Sequence, residues 1–168
     1  MNNKFMINFK YDYVNFLDKV FINLSRVKID VSQFKIDHIA CRTETDNDYR
    51  EVSAYMRSFG KRVTQVIFKN RPVDMYELDQ PLEYHQYKIK YFEVMAPAEG
   101  DKYNNGLEHA EFVINISLTE FVSRYPNVTW NVNSINRPIG ADVGVRFEDA
   151  ANAKFKTMTM EEIIEAEK

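Results

Sequence analysis

Histidine and cysteine are scarce in this chain. Among 168 residues there are three histidines and one cysteine, Cys41. A lone cysteine excludes an internal disulfide and fits a reducing compartment. No basic run stands out, and the formal net charge is −3 with a pI near 5.7. A nucleic-acid partner is therefore not expected. No apolar run is long enough to span a bilayer, and the N-terminus lacks the pattern of a secretory signal. These absences lead to the expectation of a soluble cytoplasmic protein without membrane or nucleic-acid partners. What is abundant is apolar and aromatic side chain, 45% and 14% of the residues. That is a globular composition, sufficient for one domain with its own core or two small modules sharing one.

Residues 7–28 read as a helix. Val14, Leu17, Val20, Phe21, Leu24 and Val27 recur at three- and four-residue steps and form an apolar stripe. Asp12, Asp18 and the mixed charges favour docking on a core over a membrane surface. A strand over 34–42, a helix ending at Gly60, and three strands over 61–69, 71–78 and 87–95 follow, with Asn70 and Arg71-Pro72 turning the chain. The segment "MAPAEGDKYNNGL" gathers turn residues and marks an internal boundary. Beyond it the same order recurs. "EHAEFVINI" reads as strand. "SLTEFVSRYP" reads as a short helix with Ser117 and Glu120 as a capping box. "NVTWNVNSI", "DVGVRFED" and "AKFKTMTM" read as strands, and "EEIIEAEK" as a helical or frayed tail. The expectation is one domain over 1–168: a helical extension over 1–33, a first β-α-β-β-β module over 34–96 and a second over 107–160. The fold class is α+β, a mixed sheet of paired modules.

Two of the three histidines sit in near-copies of one segment. His38 lies in I-D-H-I-A and His109 in L-E-H-A-E, 71 positions apart (109 − 38). Strand residues of equal parity share a face. Phe34, Ile36, His38, Ala40 and Arg42 therefore point one way on the first strand, and Leu107, His109, Glu111 and Val113 one way on its counterpart. Ile89, Tyr91, Glu93 and Met95 share a face of the fourth strand, which leaves Glu93 among apolar neighbours. A buried carboxylate needs a partner. A divalent cation held by His38, Glu93 and His109 would supply one. Two imidazoles and one carboxylate suit Zn²⁺, Ni²⁺, Mn²⁺ or Fe²⁺ and leave coordination positions open. Arg42, two residues past His38, could anchor an anionic group of a substrate or form a surface ion pair. Glu111 is the candidate general base. Tyr91 could orient a ligand, although packing is the commoner task. Arg71 is expected to hold its loop or line the cavity mouth, His85 to be exposed, and Cys41 to be a small buried hydrophobe.

The doubled β-α-β-β-β unit, with a histidine on the first strand of each copy and a glutamate on the last strand of the first, resembles the vicinal oxygen chelate superfamily, the glyoxalase and extradiol dioxygenase group. More narrowly, "IDHIACRT", "NRPVDMYEL", "EVMAPAEGDKYNNGLEHAEFVI" and the N-terminal helix resemble the YecM family. The resemblance implies sheets that curve together around a cavity and a divalent metal held from the first and last strands of each module, here by His38, Glu93 and His109. It implies a metal-dependent lyase, isomerase or oxygenase acting on a small oxygen-bearing substrate. The alternative is a non-catalytic metal or small-molecule binding protein of the same fold. Where the superfamily pattern has a fourth ligand, aligning "KIKYFEVM" with "KFKTMTME" puts Thr159 opposite Glu93. Thr159 is a poor ligand, and Glu161, Glu162 or Glu111 would be the substitutes.

Overall fold

The computed structural model describes residues 3–100 and 102–167, and side chains from residue 12 onward. Eight strands form one open, curved sheet in the order β2-β3-β4-β1-β5-β8-β7-β6. The first half comprises β1 (Lys35–Arg42), α2 (Asp46–Met56), β2 (Gly60–Phe68), β3 (Arg71–Tyr84) and β4 (Tyr87–Met95). The second comprises β5 (Gly106–Val113), α3 (Leu118–Arg124), β6 (Trp130–Asn131), β7 (Asp142–Val145) and β8 (Asn152–Lys156). The N-terminal helix α1 (Asn3–Arg26) precedes both halves, and α4 (Met160–Ala166) follows them. In each half the first strand runs parallel to the last, β1 with β4 and β5 with β8. The halves meet where β1 and β5 pair antiparallel at the centre of the sheet. Among the described residues no helix is long and apolar enough to cross a membrane.

Local chemistry accounts for most of these boundaries. Thr45 caps α2 in a full capping box with Asp48. Ser117 caps α3 through the Glu120 amide, but the Glu120 side chain turns to Arg124, 2.6 Å away, so only half of the expected box forms. Lys69 and Asn70 both have positive φ and make the two-residue turn that pairs Phe68 with Arg71. Arg71 thus opens β3 rather than turning the chain. Gly60 is the first residue of β2 rather than a helix stop. A Cβ there would lie 2.1 Å from the Glu77 carbonyl oxygen, so close backbone approach requires glycine.

The main core lies on the face that carries α1, α2 and α3. Leu17, Val20 and Leu24 of α1 are buried there with Ile36, Ile39, Phe92, Phe112 and Phe155. Phe21 meets the rings of Tyr84, Tyr87 and Phe112 at 5.4–5.9 Å. Val14, expected in the stripe, is 38% exposed.

Three expectations along the chain are corrected. Segment 127–135 contributes only the two residues of β6. Asn131 accepts a hydrogen bond from the Asn133 amide and bends the chain out of the sheet. Segment 142–149 is strand only to Val145. The last strand ends at Lys156, because Thr159 and Glu162 form a capping box that starts α4. The apolar residues of α4, Met160 and Ile163, pack with Met75 and Tyr91 and close one side of the face opposite the main core.

A candidate metal centre between two bulged strands

Two β-bulges position the histidines. In the β1–β5 ladder Ile36 pairs with Phe112 and His38 with Glu111, which leaves Asp37 as an extra residue on β1. Further along, Ala40 pairs with His109 and Cys41 with Leu107, which leaves Glu108 as an extra residue on β5. A bulge breaks strict alternation and re-aims the side chains beside it. Ile36, placed by parity with His38, therefore joins the helix-side core, and Phe34, Leu107 and Ile89 also pack against that core. His38, Ala40 and Arg42 on one strand, and His109 and Glu111 on the other, remain together on the cavity side.

Each bulge residue is an acid that holds the histidine after it. His38 Nδ1 lies 3.2 Å from Asp37 Oδ2. His109 Nδ1 contacts Glu108 Oε2. With Nδ1 held by a carboxylate, Nε2 is the nitrogen left to bind something else. Both Nε2 atoms are buried and complete no well-directed hydrogen bond; they face carboxylates instead, that of His38 with Glu111 Oε2 at 3.1 Å and that of His109 with Glu93 Oε1 at 3.8 Å. The two rings stand 5.7 Å apart at an interplanar angle of 70°. One ligand atom each from His38, Glu93 and His109 lie within 4.8 Å of one another. The sequence-derived set is thus brought together, and its donors fit a divalent cation of the Zn²⁺, Ni²⁺, Mn²⁺ or Fe²⁺ type.

Strand register identifies the fourth position, and it is not Thr159. Glu93 pairs with Ala40, two residues past His38. The equivalent pair in the second half is Lys154 with Glu111, two residues past His109. A cationic amine therefore stands where a second carboxylate would complete the pattern. Thr159 and Glu162 are occupied in capping α4, and Glu161 lies 3.6 Å from Lys35 at the surface.

Around this centre lies a network of buried charge. Glu111 Oε2 is 3.1 Å from His38 Nε2 and 3.5 Å from Lys156 Nζ. Burial alone would raise the Glu111 carboxyl, but Lys156, His38 and Lys154 outweigh it and hold it below the ordinary carboxylate range. Asp37 receives Lys156 at 2.7 Å and the Met160 amide at 3.0 Å. Burial opposes its ionisation as well, and His38 and Lys156 prevail and lower it. Glu108 is lowered in the same way by His109 and Arg42. Asp142 moves in the opposite direction, raised by burial and then by Glu111 despite Lys154 at 3.6 Å.

Arg42 is neither solvent-facing nor free. Its Nη2 lies 3.1 Å from Glu108 Oε1, and its guanidinium carbon sits 4.2 Å from the centre of the Tyr103 ring. Cys41 is buried in the helix-side core, where burial and then Glu93 push its thiol far up. His85 is exposed in the β3–β4 turn. Asp37, Glu108, Lys154 and Lys156 were missed as site residues. The acid–histidine dipeptide in both copies was the available signal for the first two. His38, Glu93, His109, Glu111, Arg42, Glu108, Asp142, Lys154 and Lys156 border one cavity of about 250 Å³, whereas Asp37, Cys41 and His85 do not.

A family model described as "YecM protein" matches residues 6–165. An uncharacterized protein of Haemophilus influenzae is 23% identical over 99 residues, 59% of this chain and 52% of that protein. The chain thus spans about half the length of the curated relative it matches. Among solved structures, a structural-genomics protein designated EC4020 superposes with a TM-score of 0.76 at 18% identity, covering 94% of this chain and 88% of its own. A genomically encoded fosfomycin resistance protein, FosX, from Listeria monocytogenes aligns at 14% identity over 76% of this chain and 93% of its own, with a TM-score of 0.27.

Proposed function

This chain belongs to the YecM family, and from that premise and the geometry of the site we propose that it is a divalent-metal-dependent enzyme acting on a small oxygen-bearing substrate. One observation carries the proposal. Two buried imidazoles, each held at Nδ1 by its own bulge carboxylate, turn their Nε2 atoms toward one another's neighbourhood and group them with Glu93 beside a cavity. His38, Glu93 and His109 would hold the metal. Bound there, a divalent cation supplies Lewis acidity toward substrate oxygens.

The chain's own residues supply the rest. Asp37 and Glu108 fix the tautomer and orientation of the two rings. Glu111 is the nearby carboxylate outside the ligand set, ionised and available to accept a proton. Its low proton affinity restricts it to protons already made acidic by polarisation of the substrate. Asp142, whose proton affinity is raised by burial, lines the same cavity. A lyase, isomerase or oxygenase is compatible with this set. The low basicity of Glu111 also supports a second reading, a non-catalytic binder of a metal-bound small molecule.

The first test is elemental analysis of protein purified without a nickel column. About one Zn, Ni, Mn or Fe per chain is expected, and none in the variant lacking both histidines. Metal-free protein that also takes up none of these ions in equilibrium dialysis would refute the reading. Solvent-deuterium exchange into a panel of small hydroxy- and oxo-acids separates the two readings, because a binder catalyses none.

A further inference from the structure

Arg71 is a buried cation that no carboxylate of the described residues meets in a direct ion pair, although Glu93 and Glu108 act on it from further off. It is 6% exposed and lines the same cavity as the histidines. Its Nη1 donates to the Ala96 carbonyl at 3.2 Å, and its Nη2 contacts Met95 Sδ at 3.7 Å. Its Nε is buried with no hydrogen-bond partner. No ion pair of the described residues includes Arg71. A buried guanidinium without a direct counter-charge is costly, and a neutral amide could satisfy the Ala96 carbonyl equally well.

Arg42 shares this end of the cavity. It pairs across the β1–β4 ladder with Met95, the residue whose sulfur Arg71 touches. Its Nε is also buried without a hydrogen-bond partner. Glu108 is the carboxylate paired with Arg42, and Glu108 also holds His109. Glu93 and Glu108 are the carboxylates that act on Arg71, both without a direct ion pair, and Glu108 is already engaged by Arg42 and His109. Burial, and next the neighbouring Arg42, depress the proton affinity of Arg71.

We infer that Arg71, with Arg42 beside it, forms a subsite for an oxyanion group of the substrate, a carboxylate or a phosphoryl group. The strand register sets the distance. Arg42 and Met95 lie two residues beyond Ala40 and Glu93, one same-face step from the row that carries Glu93 and His109. That step is about 7 Å. The ligand is therefore short, with oxygens for the metal at one end and an oxyanion at the other. This inference rests on the metal reading for the far end of the ligand only. The anion subsite itself needs no metal.

The test uses chelator-treated full-length protein, with inorganic phosphate and acetate as separate probes. In ¹⁵N-edited spectra the Arg71 Nε–H resonance is expected to move on addition of at least one probe. Whichever probe moves it identifies the phosphoryl or the carboxylate source. By titration calorimetry, Arg71→Gln should weaken that binding by at least about tenfold, and His85→Ala, in the exposed β3–β4 turn, should leave it unchanged. An unmoved Arg71 resonance with both probes overturns the subsite, even if the Gln variant fails to fold. So does binding to a folded Arg71→Gln protein at wild-type strength. A protein that binds phosphate through Arg71 yet takes up no metal would refute the metal reading and keep the subsite. The converse result would do the opposite.

Discussion

Glu93 and Lys154 occupy equivalent places in the two halves of the sheet. Each lies on the last strand of its half, paired in parallel with the residue two beyond a buried histidine. One half thus presents a carboxylate and the other an amine. The Lys154 ammonium is also held charged: burial opposes it, and Glu111, Asp142 and Glu93 overcome that cost. It supplies positive charge beside a site crowded with acids.

On the proposed metal reading, Lys154→Glu should therefore convert the three-ligand site toward four ligands. Without metal the variant loses a counter-charge and should be less stable by about 1–3 kcal/mol. With Mn²⁺ or Zn²⁺ it should gain more in melting temperature than the wild type, since an added ligand charge strengthens cation binding. Thermal melts with and without metal check this. An equal metal-induced gain in the two proteins would mean that Lys154 does not face the cation.

His38→Ala and His109→Ala should fold and lose the metal. The core has Ile36, Phe92, Val94, Phe112 and Ile114 buried without help from the site. Small zinc domains differ, because there the ion supplies the folding energy. Far-UV circular dichroism of each variant, and of chelated wild type, should match the untreated protein, while metal content falls to background. Unfolding at room temperature would make the site structural.

Asp37 joins three things: the His38 ring, the Lys156 ammonium and the first turn of α4. Asp37→Asn should cost about 2–4 kcal/mol, because it leaves Lys156 buried with only Glu111. It should also lower metal affinity about 10- to 100-fold through loss of ring orientation. Glu108→Gln should show the second effect at His109. Chemical denaturation and competition against a metal-binding dye measure the two effects separately. Unchanged metal affinity in both variants would remove the orienting role.

Stability should fall on the acid side. Asp37 and Glu108 are both lowered in the folded chain. Their contribution is complete above the ordinary carboxylate range of about 4 and is lost as pH falls through the lower folded values. Melting temperature should drop steadily below about pH 4, and Asp37→Asn should flatten that limb. Parallel limbs in wild type and variant would show that Asp37 does not contribute to it.

Much of this could be read from the chain alone, for local reasons. Apolar period and turn chemistry mark α1, the strands of the first half and the doubled element order. Two histidines in copied segments, with Glu93 flanked by Tyr91 and Met95, single out the candidate ligands. Even the carboxylates that hold the rings are visible as Asp37-His38 and Glu108-His109, adjacent in sequence. What the chain alone could not decide depends on strand register. A bulge is a mismatch between two strands, so neither β1 nor β5 by itself reveals that Asp37 and Glu108 are the extra residues or that Ile36 turns to the core. The counterpart of Glu93 depends on where β8 pairs with β5, and alignment by strand order missed it by five positions (159 − 154), because a helix cap ends the last strand early. That Arg71 is buried without a direct ion pair among the described residues belongs to the packed molecule alone. Burial removes water from the guanidinium, and only the assembled sheet decides which charges come near enough to replace it.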